Sequence, residues 1–219
     1  MHRSRLDVLP LPSRPHPGIA SGLCRHCSLE FESLWHILTL CEAKPRIVRE
    51  RHDTVLWRVV RLILFSLRLS REEEDRVESL IPKNQIVLNV KDGVKLYVNS
   101  HIPYLTDDKR PDIFYEDSIR KVAYIVDIRI VAEQYEHSLE AVRKDKIEKY
   151  SELAGILKRM GYNVFIDAFL MGAFGSFDPK NLAFMNLLGI PPLHTEHCIR
   201  FLFSQVVKYG CDLYHSYLV

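Results

Sequence analysis

Val122-Ala-Tyr-Ile-Val-Asp-Ile-Arg-Ile-Val131 reads as a strand buried on both faces. β-branched residues crowd it, and apolar side chains fill both phases of the two-residue alternation. That describes a strand inside a sheet covered by helices rather than one facing water. Asp127 breaks the run. An ionised carboxylate in a dry sheet is costly unless a cation, a metal ion or several donors meet it. A second carboxylate, Asp112, follows Pro111 at the start of the preceding apolar segment, 112–115, where proline is tolerated because that position need not donate to the ladder. Neighbouring strands lie ~5 Å apart, so two such carboxylates can share one divalent ion. The plainer reading of each is a turn cap or an edge charge.

Outward from this strand, the spacing predicts a hairpin from strands 85–90 and 94–99 around Asp92 and Gly93, and a further strand at 163–170. A helix is expected over 44–69, with Val48, Val55, Val59, Leu62 and Leu67 at helical intervals and no glycine. The acidic run 71–79 reads as a short exposed helix or its cap, and 180–188 and 196–218 as helices covering the sheet. Helix, several strands, helix, strand predicts an α/β sheet with helices on its faces.

The helix expected over 136–160, stopped by Gly161, carries a further anomaly. At ~100° per residue, Leu139, Val142, Tyr150, Leu153, Leu157 and Met160 fall within about 40° of Lys146. Lys146 therefore stands in the buried stripe, with Lys149 and Arg143 on its borders and Lys144 toward water. A lysine aimed at the sheet needs an anionic partner, and Asp127 is the nearest candidate. The alternative is snorkelling, with the stem on the core and the ammonium escaping sideways.

Cys24, Cys27, His36 and Cys41 form the pattern C-x2-C-x8-H-x4-C. Thiolates and imidazole at this spacing are the ligands of a closed tetrahedral zinc site, which can fold a short loop. A filled Cys₃His shell leaves no position for water, so this metal is expected to be structural. His194, His197, Cys198, Cys211 and His215 match no such spacing, and packing is the preferred reading of Cys198 and Cys211.

Composition sets the remaining bounds. The 219 residues suit one ordinary domain with a small appendage, and 47% hydrophobic content excludes disorder over most of the length. A proline-rich arm (1–23), a zinc knuckle (24–44) and a main domain (45–219) are the expected divisions. The start is basic and polar, unlike a secretory signal, and the most apolar stretch, 55–69, holds three arginines and is too short to span a bilayer. Cytosol or nucleus is the expected compartment, with no membrane partner. The net charge is only +2. Between Glu42 and Arg71, however, eight Lys/Arg stand against three acids, which suits either a phosphate contact or a solvated helix face.

Together these features resemble a known family. Asp112 after proline, Asp127 in an adjacent apolar strand, a nearby lysine and the order αβββαβ resemble the PD-(D/E)XK restriction-endonuclease-like fold. With the knuckle upstream, the chain resembles the C-terminal part of site-specific non-LTR retrotransposon proteins, where a zinc knuckle precedes a restriction-enzyme-like endonuclease. The matching pieces are CRHCSLEFESLWHILTLC (24–41), RERHD (49–53), KRPDIF (109–114), VAYIVDIRI (122–130) and KIEKY (146–150). The resemblance implies that Asp112 and Asp127 hold catalytic Mg²⁺ and that Lys146, with Lys149 beside it, is a displaced catalytic lysine. Arg129 occupies the strict D-x-K position, where guanidinium can bind phosphate but is a poor base. Arg51 and His52 match the family's Arg-His pair and are implied to contact DNA or to be structural. Double-stranded DNA is the implied substrate, nicked in the nucleus to prime a reverse transcriptase on element RNA. No polymerase segment is present, so a fragment, a split product or a degenerate copy of an element protein is implied. The competing readings are a non-catalytic, zinc-containing nucleic-acid-binding remnant, and an interaction domain in which these charges form a buried network.

Overall fold

The computed structural model describes residues 22–79, 86–104, 109–132 and 136–218, and nearly all of the proline-rich arm lies outside them. Five strands form one sheet in the order β1 (Ile86–Lys91), β2 (Val94–Val98), β3 (Ile113–Asp117), β4 (Val122–Val131), β5 (Asn163–Gly172). The first four are antiparallel neighbours, and β5 runs parallel to β4, from Val122 opposite Asn163 to Val131 opposite Gly172. A parallel pair needs a crossover, supplied here by α3 (Glu136–Lys149) and α4 (Ser151–Arg159). The remaining helices are α1 (Pro45–Ser66), α2 (Arg71–Glu78), α5 (Asn181–Leu187) and α6 (Pro192–Leu218). The molecule is thus mixed α/β, with one more strand before the crossover than the order αβββαβ contains.

Alternation along the strands sorts side chains to two faces. Leu96, Ile113, Tyr115, Val126 and Ile128 pack with Val55, Val59 and Ile63 of α1 and with Leu202 and Val206 of α6. Phe114, Ala123 and Ile125 face the other way, onto Tyr150, Leu153 and Leu157. Strand β4 is therefore covered on both sides, as its composition predicts. Pro45 opens α1 at its first turn, where a missing N–H costs nothing. Gly93 closes the β1–β2 hairpin at φ +73°, and a side chain there would meet Ile119 at 2.5 Å.

The helix expected over 136–160 is two helices. Tyr150, at φ −106° and ψ 11°, interrupts it, and the second helix ends at Arg159 with Met160 as its C-cap. Leu153 and Leu157 are buried as expected, but Met160 is 43% exposed. Arg143, expected at a border, is buried. It donates to Asp167, to the Ala168 carbonyl at 2.6 Å, to Asp178 at 2.8 Å and to Asn181 at 3.2 Å, joining α3 to β5 and α5. Asn181 in turn exchanges both bonds with the Leu170 backbone. Replacing Arg143 with Met strands Asp167 and Asp178 in the interior. The expected cost is about 3–5 kcal/mol in urea unfolding, and a loss below about 1 kcal/mol would refute this role.

Candidate functional site

The Cys/His cluster is assembled by two local devices. Cys24 and Cys27 flank a tight turn in which the Ser28 N–H reaches the Cys24 carbonyl at 2.8 Å, and a bridge pairs Leu23 with Phe31. His36 and Cys41 bound a π-turn, His36–Leu40, closed by the Cys41 N–H on the His36 carbonyl at 2.8 Å. The x4 spacing is the span of one i→i+5 turn, which sets both side chains over one spot. Glu32, fully buried, holds the loop through the Arg25 backbone N–H at 2.8 Å and its guanidinium at 2.7 Å.

All four ligand atoms lie within 4.8 Å of one another. Cys24 Sγ and Cys41 Sγ are 3.8 Å apart, and Cys27 Sγ is 3.2 Å from His36 Nε2. For a tetrahedral ion with metal–sulfur bonds of ~2.3 Å, the sulfur–sulfur edge is about 3.8 Å, and the sulfur–nitrogen edge is about 3.5 Å with a metal–nitrogen bond of ~2.0 Å. The donor set and its spacing fit a metal ion such as zinc. Burial pushes the Cys24 thiol up, but the Cys27 and His26 backbone amides, then Tyr217 and His36, outweigh it and bring the thiol down to about 6. Burial also raises the Cys41 thiol, and there it prevails. Tyr217, near the end of α6, places its hydroxyl 3.6 Å from Cys24 Sγ. His36 Nδ1 is buried with no partner among the described residues.

This loop is continuous with the main core, since Cys24, Leu34, Ile37, Leu38 and Cys41 are buried with α1, α6 and the sheet. Arg51 makes part of the join. It is 1% exposed and donates to the Leu38 carbonyl at 2.5 Å. Burial brings its guanidinium down to about 10. Of the two roles implied for Arg51, contact with DNA or a structural place, its burial and this bond fit the structural one.

The two carboxylates are carried by neighbouring segments where the β3–β4 pairing ends. Asp112 sits in the bend before β3, one step beyond the Ile113–Val126 pair. Its Oδ2 accepts the Ile128 N–H at 2.6 Å, which ties it to the residue after Asp127. Asp127 is 4% exposed. Its Oδ1 lies 2.8 Å from the Tyr150 hydroxyl, and its Oδ2 lies 2.6 Å from Lys146 Nζ. The structure thus gives Lys146 the partner its stripe position demanded, instead of the snorkelling alternative. Tyr150, which the stripe also placed inward, donates its hydroxyl to Asp127 and to the Arg110 carbonyl at 2.9 Å. Burial first, and Asp127 next, raise the Tyr150 hydroxyl above the ordinary tyrosine range, so it stays a donor.

The other expected residues divide. Lys149 is exposed, its ammonium 4.7 Å from the Tyr150 ring centroid rather than on a carboxylate. Arg129 is exposed and, by strand alternation from Asp127, lies on the same face of β4. His52 is partly buried, its Nε2 3.3 Å from Asp112 Oδ2 and its Nδ1 3.1 Å from Asp53 Oδ1. Sequence reading places Tyr150 in the buried stripe, where the structure has it, but misses Asp53, the burial of Arg143, and Glu116. Glu116 is a buried acid on β3 that accepts the Tyr104 and Tyr162 hydroxyls at 2.6 Å each. Asp53 was in view beside the Arg-His pair, whereas Glu116 had no signal beyond standing in an apolar strand.

Burial lowers the His52 imidazole, but Asp112 and then Asp53 outweigh it and raise it from 6.5 to about 9. A raised folded-state value means the stability His52 contributes is full below pH 6.5 and is lost as pH rises through about 9. An NMR titration of the zinc-loaded protein with no Mg²⁺ added should find its midpoint near 9, and Asp112→Asn should move that midpoint down. A midpoint unchanged in the variant would sever the pairing.

The fold and the site define a mixed α/β protein whose Cys-Cys-His-Cys cluster can hold a metal ion such as zinc. Neither protein-family models nor curated proteins match this chain.

Proposed function

We propose that this chain is a Mg²⁺-dependent DNA endonuclease with a structural zinc knuckle, of the kind the retrotransposon resemblance implies. The observation that carries the reading is the Asp112–Ile128 hydrogen bond. It holds one carboxylate against the strand that bears the other, with Lys146 reaching in from the crossover helix. Helix α1, strands β2 to β4, the crossover and β5 supply the order of a PD-(D/E)XK core, with β1 as an added edge.

Asp112 and Asp127 are the residues that would hold Mg²⁺. Their oxygens suit a hard cation, and Asp112 Oδ1 takes no hydrogen bond among the described residues. When bound, Mg²⁺ supplies Lewis-acid stabilisation and lowers the pKa of a coordinated water. In the hydrolysis, water oxygen joins phosphorus, the bond to the 3′ oxygen breaks, the water gives up a proton, and the leaving oxygen takes one. Lys146 would orient that water or the phosphoryl oxygens, and Arg129 would engage a neighbouring phosphate. Tyr150 keeps Asp127 in place. The product nick would serve a reverse transcriptase and element RNA in the nucleus.

A second reading has its own observation. Both oxygens of Asp127 are already bonded and Asp112 faces His52, a charge-balanced network able to stand without an ion. It favours a non-catalytic nucleic-acid-binding remnant. Nicking of supercoiled plasmid by the zinc-loaded protein, with Mg²⁺ added and with Mg²⁺ omitted, separates the two. Cleavage that needs Mg²⁺ supports the nuclease. Salt-sensitive binding without cleavage supports the remnant. Neither binding nor cleavage overturns both.

A further inference from the structure

We propose that His52, locked by Asp53, is a positioning residue that turns the free oxygen of Asp112 toward the metal; this rests on the nuclease reading above. Two donors from different elements converge on Asp112 Oδ2: the Ile128 N–H of β4 at 2.6 Å and His52 Nε2 of α1 at 3.3 Å. A carboxylate is planar, so fixing one oxygen from two directions fixes the other. Oδ1 is the one carboxylate oxygen of the Asp112–Asp127 pair with no hydrogen bond among the described residues.

His52 is itself held. Asp53 Oδ1 takes its other ring nitrogen at 3.1 Å, which orients the imidazole as partners of metal-binding groups do in general. The backbone beneath it is anchored by the preceding residue, because Arg51 is buried and bonded to the Leu38 carbonyl. Helix α1 thus presents His52 to Asp112 from a fixed base. All three side chains keep partial solvent access, at 26% for His52, 27% for Asp53 and 17% for Asp112. The group is therefore not sealed from solvent ions.

The test is Mn²⁺ affinity of the zinc-loaded chain, read from the free-ion EPR signal, with plasmid nicking measured alongside. His52→Ala is expected to weaken Mn²⁺ binding by about 10–100-fold, the usual effect of removing a group that orients a metal ligand. His52→Gln can place its amide N–H near the position of Nε2 and should retain most of the affinity. His52→Asn is too short and should behave like alanine. If His52→Ala fails to fold, the Gln and Asn variants decide. A purely structural histidine would lower the melting temperature and leave Mn²⁺ affinity unchanged, and that result overturns the proposal. Wild-type protein that binds no Mn²⁺ overturns the nuclease reading itself. Binding that survives in wild type and in every His52 variant overturns only the role of His52.

Discussion

Chelating the ion from Cys24, Cys27, His36 and Cys41 should unfold much more than a loop. The cluster residues are buried with α1, α6 and one face of the sheet, so the core loses Leu34, Ile37 and Leu38 when the loop opens. Structural zinc contributes roughly 10–16 kcal/mol in isolated fingers, comparable to the whole stability of a typical domain. Even half of ~10 kcal/mol, at roughly 3 °C per kcal/mol for a chain of this size, lowers the melting temperature by about 15 °C. Cys41→Ser should behave likewise, since Cys41 is buried and stands 3.8 Å from Cys24. Calorimetry with and without a strong chelator, beside metal analysis of the purified protein, checks this. A metal-free preparation that melts where the untreated one does would remove the metal from the argument.

Asp127→Asn should abolish nicking and also cost stability, and the two effects separate in a double variant. The substitution removes the charge from a carboxylate 4% exposed and bonded to both Tyr150 and Lys146. Activity should fall by about 10³-fold, the upper end for losing one preorganised electrostatic contact. Lys146 then faces a neutral amide. Its side chain is 18% exposed, so it regains part of its hydration and the expected destabilisation is about 2–3 kcal/mol, short of a sealed ion pair. Adding Lys146→Met removes the stranded ammonium and should restore most of the stability while leaving nicking absent. A network that serves stability alone predicts the same melting data but no wild-type cleavage to lose. Wild-type nicking rates in Asp127→Asn would dismiss the carboxylate from the chemistry.

The reading of individual residues shows where sequence patterns end. Lys146 was identified by helical phase alone because fewer than three turns separate it from the start of α3, and over that distance the period holds. Met160 was misplaced because the helix ends at Arg159 and Met160 is its C-cap, whereas Leu153 and Leu157 land as expected despite the break at Tyr150. No proline or glycine marks that break; its partners, Asp127 and the Arg110 carbonyl, come from other elements. Arg143 fell about 60° from the stripe and read as a border residue, yet Asp167, Asp178 and Asn181 draw it inside. Arg51 and His52 adjoin in one motif, and their side chains part: one goes to the Leu38 carbonyl in the interior, the other to Asp112, 60 residues away.

What the sequence determined by itself is what short-range geometry controls. The spacing of Cys24, Cys27, His36 and Cys41 closes a four-ligand cluster through two local turns, and the composition of β4 commits it to a place covered on both faces. The tertiary structure alone decided which charges meet. Whether Arg51 is a surface contact or an interior strut, and whether Asp112 faces water or His52, depends on groups brought together across the sheet. Ion pairs and hydrogen bonds fall off within a few ångströms, and chain order does not encode distances between elements at that precision.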